Sequence, residues 1–377
     1  MVLRVLIAPD SLKGTATAAE AAAAIASGWR AIRPEDEIEC RPMADGGEGT
    51  LSAFEASVPG AVRRWTQVSG PLEGDVLASW IELPDGAAVI ELAESSGITL
   101  LDPLSPIETH TYGFGQVIDH ALEQGAERLV LAIGGSASTD GGAGMLTALG
   151  ARLLDDSGEQ IARGGTGLAD IASRDMSHMR PLPRGGAVVL SDVVNPLFGR
   201  RGAAAVFGPQ KGASPDQAQT LDRNLRRFAR VMARSGDAPG AGAAGGAGYG
   251  LLVWGAQMSS GADGVASALE LSAAIARADV VITGEGRFDH QTAGGKVASY
   301  VAQLAPDRTF LIAGRIEAPT RPAFQDAVAL DDLAGSSESA MLHTLRYLSD
   351  AGSALASRVA LSRATRDERK EDEGTRP

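Results

Sequence analysis

Again and again in this chain a short apolar run ends in glycine, proline or an acid, and the chain then turns toward a helix signal. "VLRVLIAP" (2–9), "RLVLAIGG" (128–135), "GAVVLSDV" (186–193), "ADVVITGEG" (278–286) and "TFLIAG" (309–314) are such runs. Strand-length apolar runs that alternate with helices read as parallel α/β architecture. After the first run, Thr17 and Glu20 have the spacing of a capping box, which predicts a helix over 18–33 that ends before Pro34. "EIECRPM" (37–43) reads as the next strand and "TLSAFEASV" as a short helix. Between about 61 and 95 the pattern changes to strand-like runs joined by turns such as "PDG", which reads as antiparallel. Alternation then resumes, with helices near 110–124, 141–150, 215–234, 264–277, from about 296, and 338–361.

Three of the strand ends are unusual. "ADGGEGT" (44–50), "AIGGSASTDGGAG" (132–144) and "VITGEGRFDHQTAGGK" (281–296) each mix glycines with carboxylates. In open α/β sheets, ligands bind at the carboxyl ends of strands. Glycine lets backbone amides approach an anion, and a following helix N-terminus adds partial positive charge. The second stretch fits a phosphate cradle best, with Ser136, Ser138 and Thr139 as hydroxyl donors. Carboxylates beside a phosphate repel it unless a cation intervenes, and Mg²⁺ is the usual one. Asp45, Glu48, Asp140, Asp192, Glu285 and Asp289 are candidates for that work, with Lys13, Lys211, Arg287 and Lys296 as cationic partners. Lysines are few: Lys13 follows the first apolar run, Lys211 lies in "GPQKGA", Lys296 closes the third stretch and Lys370 lies in the tail. Each stretch, taken alone, also reads as a plain turn.

Other classes fall away. The net charge of −13 argues against nucleic acid, whose phosphates need clustered Lys and Arg. The chain lacks an apolar run of about 18 residues, which excludes a spanning helix. One cysteine, Cys40, forms no internal disulfide, and the start reads directly into a strand rather than a signal peptide, so a cytoplasmic protein is expected. A homo-oligomer stays open. "GAGAAG" (240–245) does not follow a strand, so it is read as a mobile loop rather than a dinucleotide fingerprint. "GGKV" lacks the P-loop's first glycine and its Ser or Thr, "GGSAS" lacks the nucleophile elbow's last glycine, and the five histidines have no metal spacing.

"VLIAPDSLKGTATAAEAA", "RPMADGGEGT", "AIGGSASTDGGAGMLTALGA", "NPLFGRRGAAAVFGPQKGA", "PGAGAAGG" and "DVVITGEGRFDHQTAGGK" together resemble the bacterial type I glycerate kinases, from residue 3 to about 362. The resemblance implies ATP-dependent phosphorylation of D-glycerate, most often at the 2-hydroxyl. It also implies two α/β domains with the active site in the cleft between them. With the antiparallel run beginning near 70, the expected domains are 1–72 with 278–364, flavodoxin-like, and an inserted mixed α/β domain over 73–277. The charged tail 365–377 is expected to be disordered. The sequence departs from the family at Thr139, usually Asn, at Val194, usually Asp, and at Ala298, usually Pro. Val194 removes one acid from a two-acid metal site at 192–194.

Under that reading, Asp192, Lys13 and Asp45 are catalytic, and Lys13, Asp45, Glu48 and Arg287 bind glycerate. Gly134, Gly135, Ser136, Ser138, Thr139, Gly284, Gly286 and Lys296 hold the ATP phosphates. Asp140, Glu285 and Asp289 hold Mg²⁺. Asp192 is favoured as the base because it ends an apolar strand, with a helix or turn cap as its other reading. A small-anion receptor without catalysis is the rival from another class, and a phosphatase or dehydrogenase the enzymatic ones. The carboxylate excess argues against the receptor, and the missing dinucleotide fingerprint against the dehydrogenase.

Overall fold

The structure, a computed structural model, describes residues 2–289 and 297–374, with side chains described through residue 360. Its strands are β1 (Arg4–Ile7), β2 (Glu37–Cys40), β3 (Val62–Ser69), β4 (Asp75–Glu82), β5 (Ala87–Glu91), β6 (Arg128–Ala132), β7 (Arg152–Leu154), β8 (Ser173–Asp175), β9 (Ala187–Leu190), β10 (Gln257–Ser259), β11 (Val280–Phe288), β12 (Thr309–Ile316) and β13 (Ala327–Ala329). The chain divides into two compact units, Met1–Ala44 with Ala266–Pro377, and Asp45–Val265.

The first unit holds a parallel sheet in the order β2–β1–β11–β12–β13. Ranked along the unit this is 2-1-3-4-5, the flavodoxin-like order, whose reversal lies between β1 and β11. The helix Ala18–Ile32 begins with the expected capping box, Thr17 and Glu20 satisfying each other's backbone amides. It buries Ala21, Ala22, Ile25 and Trp29 against the apolar side of the sheet. Gly28 lets it touch the C-terminal helix backbone to backbone, since a Cβ there would lie 1.8 Å from the Ser349 carbonyl oxygen. Replacement by any residue with a side chain would push the two helices apart.

The second unit holds a six-stranded sheet in the order β10–β9–β6–β5–β4–β3. β5, β6, β9 and β10 run parallel, whereas β3–β4 and β4–β5 are antiparallel, as the change of pattern near 61–95 predicts. Its own core gathers Trp80, Ile90, Phe114, Leu131, Met145, Phe228 and Tyr249.

Several expectations are corrected. The units part at 44/45 and 265/266, not at 72/73 and 277/278. The helix Thr50–Ser57 and the strand β3 join the second unit because β3 pairs with β4, and the helix with β4 and β5, rather than with the first sheet. The helix expected over 264–277 is two, Gly261–Ala268 and Leu271–Arg277, parted by Glu270 in the left-handed region (φ 52°). The three-residue strands β7, β8, β10 and β13 carry too little pattern to be read in advance. The last helix runs Thr344–Gly374.

Candidate functional site

In the second unit, the carboxyl ends of β5, β6, β9 and β10 gather one set of loops. The ADGGEG loop and the glycine loop after β6 cross with no side chain between them. Gly134 donates its amide to the Gly46 carbonyl at 3.2 Å, and a Cβ on Gly134 would lie 2.5 Å from Gly47 Cα. That contact explains the glycine at 134, while in the other loop Gly46 (φ 82°) is hemmed by Leu190, 2.7 Å from where a Cβ would stand. Asp45 Oδ1 accepts the Gly47 amide at 3.1 Å, an Asx-type turn that folds the loop on itself. Gly261, at the start of its helix, stands between two sequence-predicted acids. It donates to Asp192 Oδ1 at 2.8 Å, and a Cβ on it would lie 1.8 Å from the Asp45 carbonyl oxygen and 3.3 Å from Asp192 Oδ2. Asp45, Asp192, Gly134 and Gly135 are thus brought together at one sheet edge. Asp192 and Glu48 are exposed there and Asp45 is half-buried. Asp192 binds a helix-start amide, which fits its cap reading, with the helix at 261 rather than a turn before Asn195.

Glu91 is the residue the sequence reading missed. It ends β5 at 3% exposure, where its carboxylate accepts the Gly49 amide at 3.1 Å and the Leu51 amide at 3.2 Å. It therefore anchors the ADGGEG loop to the sheet and caps the helix Thr50–Ser57, whose N-cap Gly49 offers no side chain. Burial, opposed by those amides and reinforced by Glu94 and Glu48, pushes its carboxyl up to about 7. The available signal was an acid closing an apolar strand, the same signal that singled out Asp192.

Asp140 does not fit the metal role expected of it. Its side chain is wholly buried and takes four donors: the Thr111 amide and hydroxyl at 2.9 and 2.8 Å, and the Gly142 and Gly144 amides at 3.0 and 3.1 Å. A carboxylate so satisfied is part of the loop's frame. Ser136 and Ser138 are buried and bond each other at 3.1 Å, Ser136 reaching also the Ala244 carbonyl at 3.3 Å. The Thr139 hydroxyl is buried with no partner among the described residues. Beneath them lies Lys211, at 3% exposure, donating to the Ser138 carbonyl at 2.5 Å. Burial, opposed by Asp140, brings its amine down to about 7. The "GAGAAG" segment is no mobile loop. Gly245 accepts the Gly141 amide at 3.1 Å, and the segment is packed against residues 136–141.

In the first unit, the "TGEG" residues are strand rather than loop. Gly284 and Glu285 pair with Ile312 and Ala313 inside β11 and β12. Gly284 and Gly286 therefore do not form the expected phosphate loop, since the ladder holds their backbone. The Gly284 carbonyl accepts the Asp10 amide at 2.8 Å, tying the loop after β1 to the strand. Glu285 is buried. Arg287 is ion-paired with Glu317 and with Asp289. Lys13 is exposed on the loop after β1, at the strand-order reversal. Lys296 lies outside the described residues.

Among the described residues, no group of three or more His, Cys, Asp or Glu is arranged to hold a metal. Mg²⁺ commonly takes only one or two carboxylates and leaves its other positions to water and phosphate. Asp140, its carboxylate filled by four donors, does not fit that mode, whereas the exposed Glu48 and the half-buried Asp45 do. No helix of the described residues is long and apolar enough to cross a membrane.

The family model described as the glycerate kinase family matches residues 5–360. The chain is 40% identical to a glycerate kinase of Bacillus subtilis (strain 168), over 96% of this chain and 99% of that one. It is 44% identical to a glycerate 2-kinase of Escherichia coli (strain K12), over 80% of this chain and 82% of that one. A crystal structure of a protein assigned as glycerate kinase 2, from Salmonella typhimurium LT2, superposes with a TM-score of 0.86 at 39% identity, over 97% of this chain and 100% of that one.

Proposed function

The chain belongs to the glycerate kinase family, and on that premise we propose that it transfers the γ-phosphoryl group of ATP to the 2-hydroxyl of D-glycerate. The observation that carries the reading is the convergence of Asp45 and Asp192 with the Gly134–Ser138 loop at one sheet edge. Phosphoryl transfer asks a protein for positioning and charge neutralisation more than for covalent chemistry. A glycine loop at a strand end supplies the first, and a cation held by the exposed carboxylates beside it would supply the second. The 2-position follows the relative from Escherichia coli, which is named a glycerate 2-kinase.

Asp192 accepts the hydroxyl proton as the oxygen attacks. Its Oδ1 is held by the Gly261 amide, which fixes the carboxylate's direction and lowers the cost of orienting it. The cationic candidates for the glycerate carboxylate, Lys13 and Arg287, both belong to the first unit, where Lys13 is exposed after β1 and Arg287 is ion-paired with Glu317 and Asp289. Asp45 or Glu48 would hold Mg²⁺, whose charge would neutralise that of the phosphates. The setting expected for this chemistry is the cytoplasm.

Incubation with ATP, Mg²⁺ and D-glycerate, with ADP followed in time and the product identified by phosphorus NMR, tests the reading. The expected product is 2-phosphoglycerate, and turnover should stop with excess EDTA. Glycerate binding without ADP release would return the chain to the anion-receptor class. Formation of 3-phosphoglycerate would overturn the choice of hydroxyl.

A further inference from the structure

The loop from Gly134 to Gly142 has three residues in the left-handed region, Gly135 (φ 74°), Gly141 (φ 67°) and Gly142 (φ 79°). Such a path does not hold itself, and its carbonyls are fastened one by one. Ala137's accepts the Thr109 hydroxyl at 3.0 Å, and Ser138's accepts Lys211 Nζ at 2.5 Å. The lysine comes from the turn Pro209–Lys211, remote in sequence, and its head is enclosed among the Ser138 carbonyl, Asp140 and Gly245. The enclosure is shaped to it. A Cβ on Gly245 would lie 2.9 Å from Lys211 Nζ and 1.8 Å from the Ser138 oxygen. Its neighbour Ala244 stands in the left-handed region (φ 52°), a conformation that costs a non-glycine residue energy, and its carbonyl accepts the Ser136 hydroxyl.

A lysine head is a costly filler for a buried space that Met or Leu would occupy without a desolvation penalty. What it provides is direction. A trans peptide points its C=O and N–H opposite ways. Fixing the Ser138 carbonyl inward on Lys211 turns the Thr139 N–H away from the lysine. The Asp140 carboxylate fixes the next turn through Gly142 and Gly144. We infer that Lys211 is a positioning residue for this reaction, setting the 138–139 peptide and through it the path of the loop, so that the loop presents the amide of its exposed Gly135 to the nucleotide phosphates. This rests on the reading of the Gly134–Asp140 loop as the phosphate-holding loop.

The test compares Lys211→Met with Lys211→Gln, which keeps a neutral donor. Steady-state kinetics with ATP and D-glycerate are measured, together with hydrogen–deuterium exchange of the amides of residues 137–142. Lys211→Met is expected to raise the KM for ATP at least tenfold and to speed exchange across 137–142. The KM for D-glycerate should stay within twofold, and Lys211→Gln should restore part of the ATP effect. An unchanged KM for ATP in folded Lys211→Met overturns the inference, as does an equal rise in both KM values. If Lys211→Met does not fold, Lys211→Gln decides on the same readouts. If the wild-type protein does not phosphorylate D-glycerate, the proposed function falls. Exchange then judges the lysine alone: faster exchange in the variants supports its hold on the loop, and unchanged exchange refutes it.

Discussion

A single buried acid, Glu91, shows how the sheet edge is tuned. Its folded carboxyl holds a proton up to about 7, whereas its ordinary value is 4.5. Its stabilising contribution is therefore fully present below 4.5 and is lost as the pH rises through 7. Removing the titration should flatten that dependence. Denaturant melts at pH 5 and pH 8 should show the wild type losing stability relative to Glu91→Gln across that window, on the order of 3 kcal/mol. A pH-independent difference between the two proteins would mean that Glu91 titrates normally. Asp192 gives the sharper functional test. Asp192→Asn keeps an acceptor for the Gly261 amide, so the fold should stand, while kcat falls about 10²-fold or more, as for loss of a general base. Unchanged turnover with weaker nucleotide binding would make Asp192 a ligand of the nucleotide or its metal instead. The two residues also mark how far the sequence was readable. Asp192 was readable because it is the sole acid closing an apolar strand in its stretch. Glu91 was not, because "VIEL" is equally an ordinary strand end, and only the fold brings the Gly49 and Leu51 amides to it.

At the scale of elements, what was local was legible. The helix Ala18–Ile32 was written in Thr17, Glu20 and Pro34, and β1, β6, β9 and β12 in unbroken apolar runs. The "TGEG" stretch misled because glycine reads as a loop, yet here glycine serves strand packing. A Cβ on Gly284 would lie 2.4 Å from the Ile312 oxygen, and one on Gly314 2.4 Å from the Gly286 oxygen. Asp140 misled for a related reason: sequence shows an acid beside glycines, and not the donors that the fold delivers to it from Thr111, Gly142 and Gly144. Where glycine does join two loops, at Gly134 and Gly47, the demand is testable. Gly134→Ala would place its methyl 2.5 Å from Gly47 Cα, a backbone atom with no rotamer to relax into. The expected cost is about 1–3 kcal/mol of stability, as for overpacking, with kcat/KM lowered at least tenfold because the loops carrying Asp45 and Ser136 must part. Gly14→Ala meets no atom within 4 Å, although its φ of 80° strains it, and serves as the comparison. Equal kcat/KM in the two variants would show that the loop crossing has no part in turnover.

The whole molecule is threaded so that its first unit is made from both ends of the chain and its second from the middle. This has different consequences for the two. The second unit contains every strand of its six-stranded sheet and its own core around Trp80, Leu131, Phe228 and Tyr249. The first depends on β1, which lies between β2 and β11, and on the helix Ala18–Ile32, which packs Ile25 and Trp29 in the same core as Leu348 and Leu355 from the C-terminal helix. Residues 266–377 alone lack both, leaving β11 with an uncovered edge and one face of the sheet without its helix. A polypeptide of residues 45–265 should therefore fold by itself, with cooperative thermal unfolding by circular dichroism and dispersed amide resonances. Residues 266–377 should show neither until residues 1–44 are supplied in trans. Linking 1–44 directly to 266–377 should restore cooperative unfolding without any glycerate kinase activity, because Asp45 and Asp192 and the loop that carries Ser136 are gone. Cooperative melting of 266–377 on its own would show that β1 completes the sheet without being needed to specify it. Failure of 45–265 to fold would show that its core, though complete in the intact chain, depends on the flanking unit for stability.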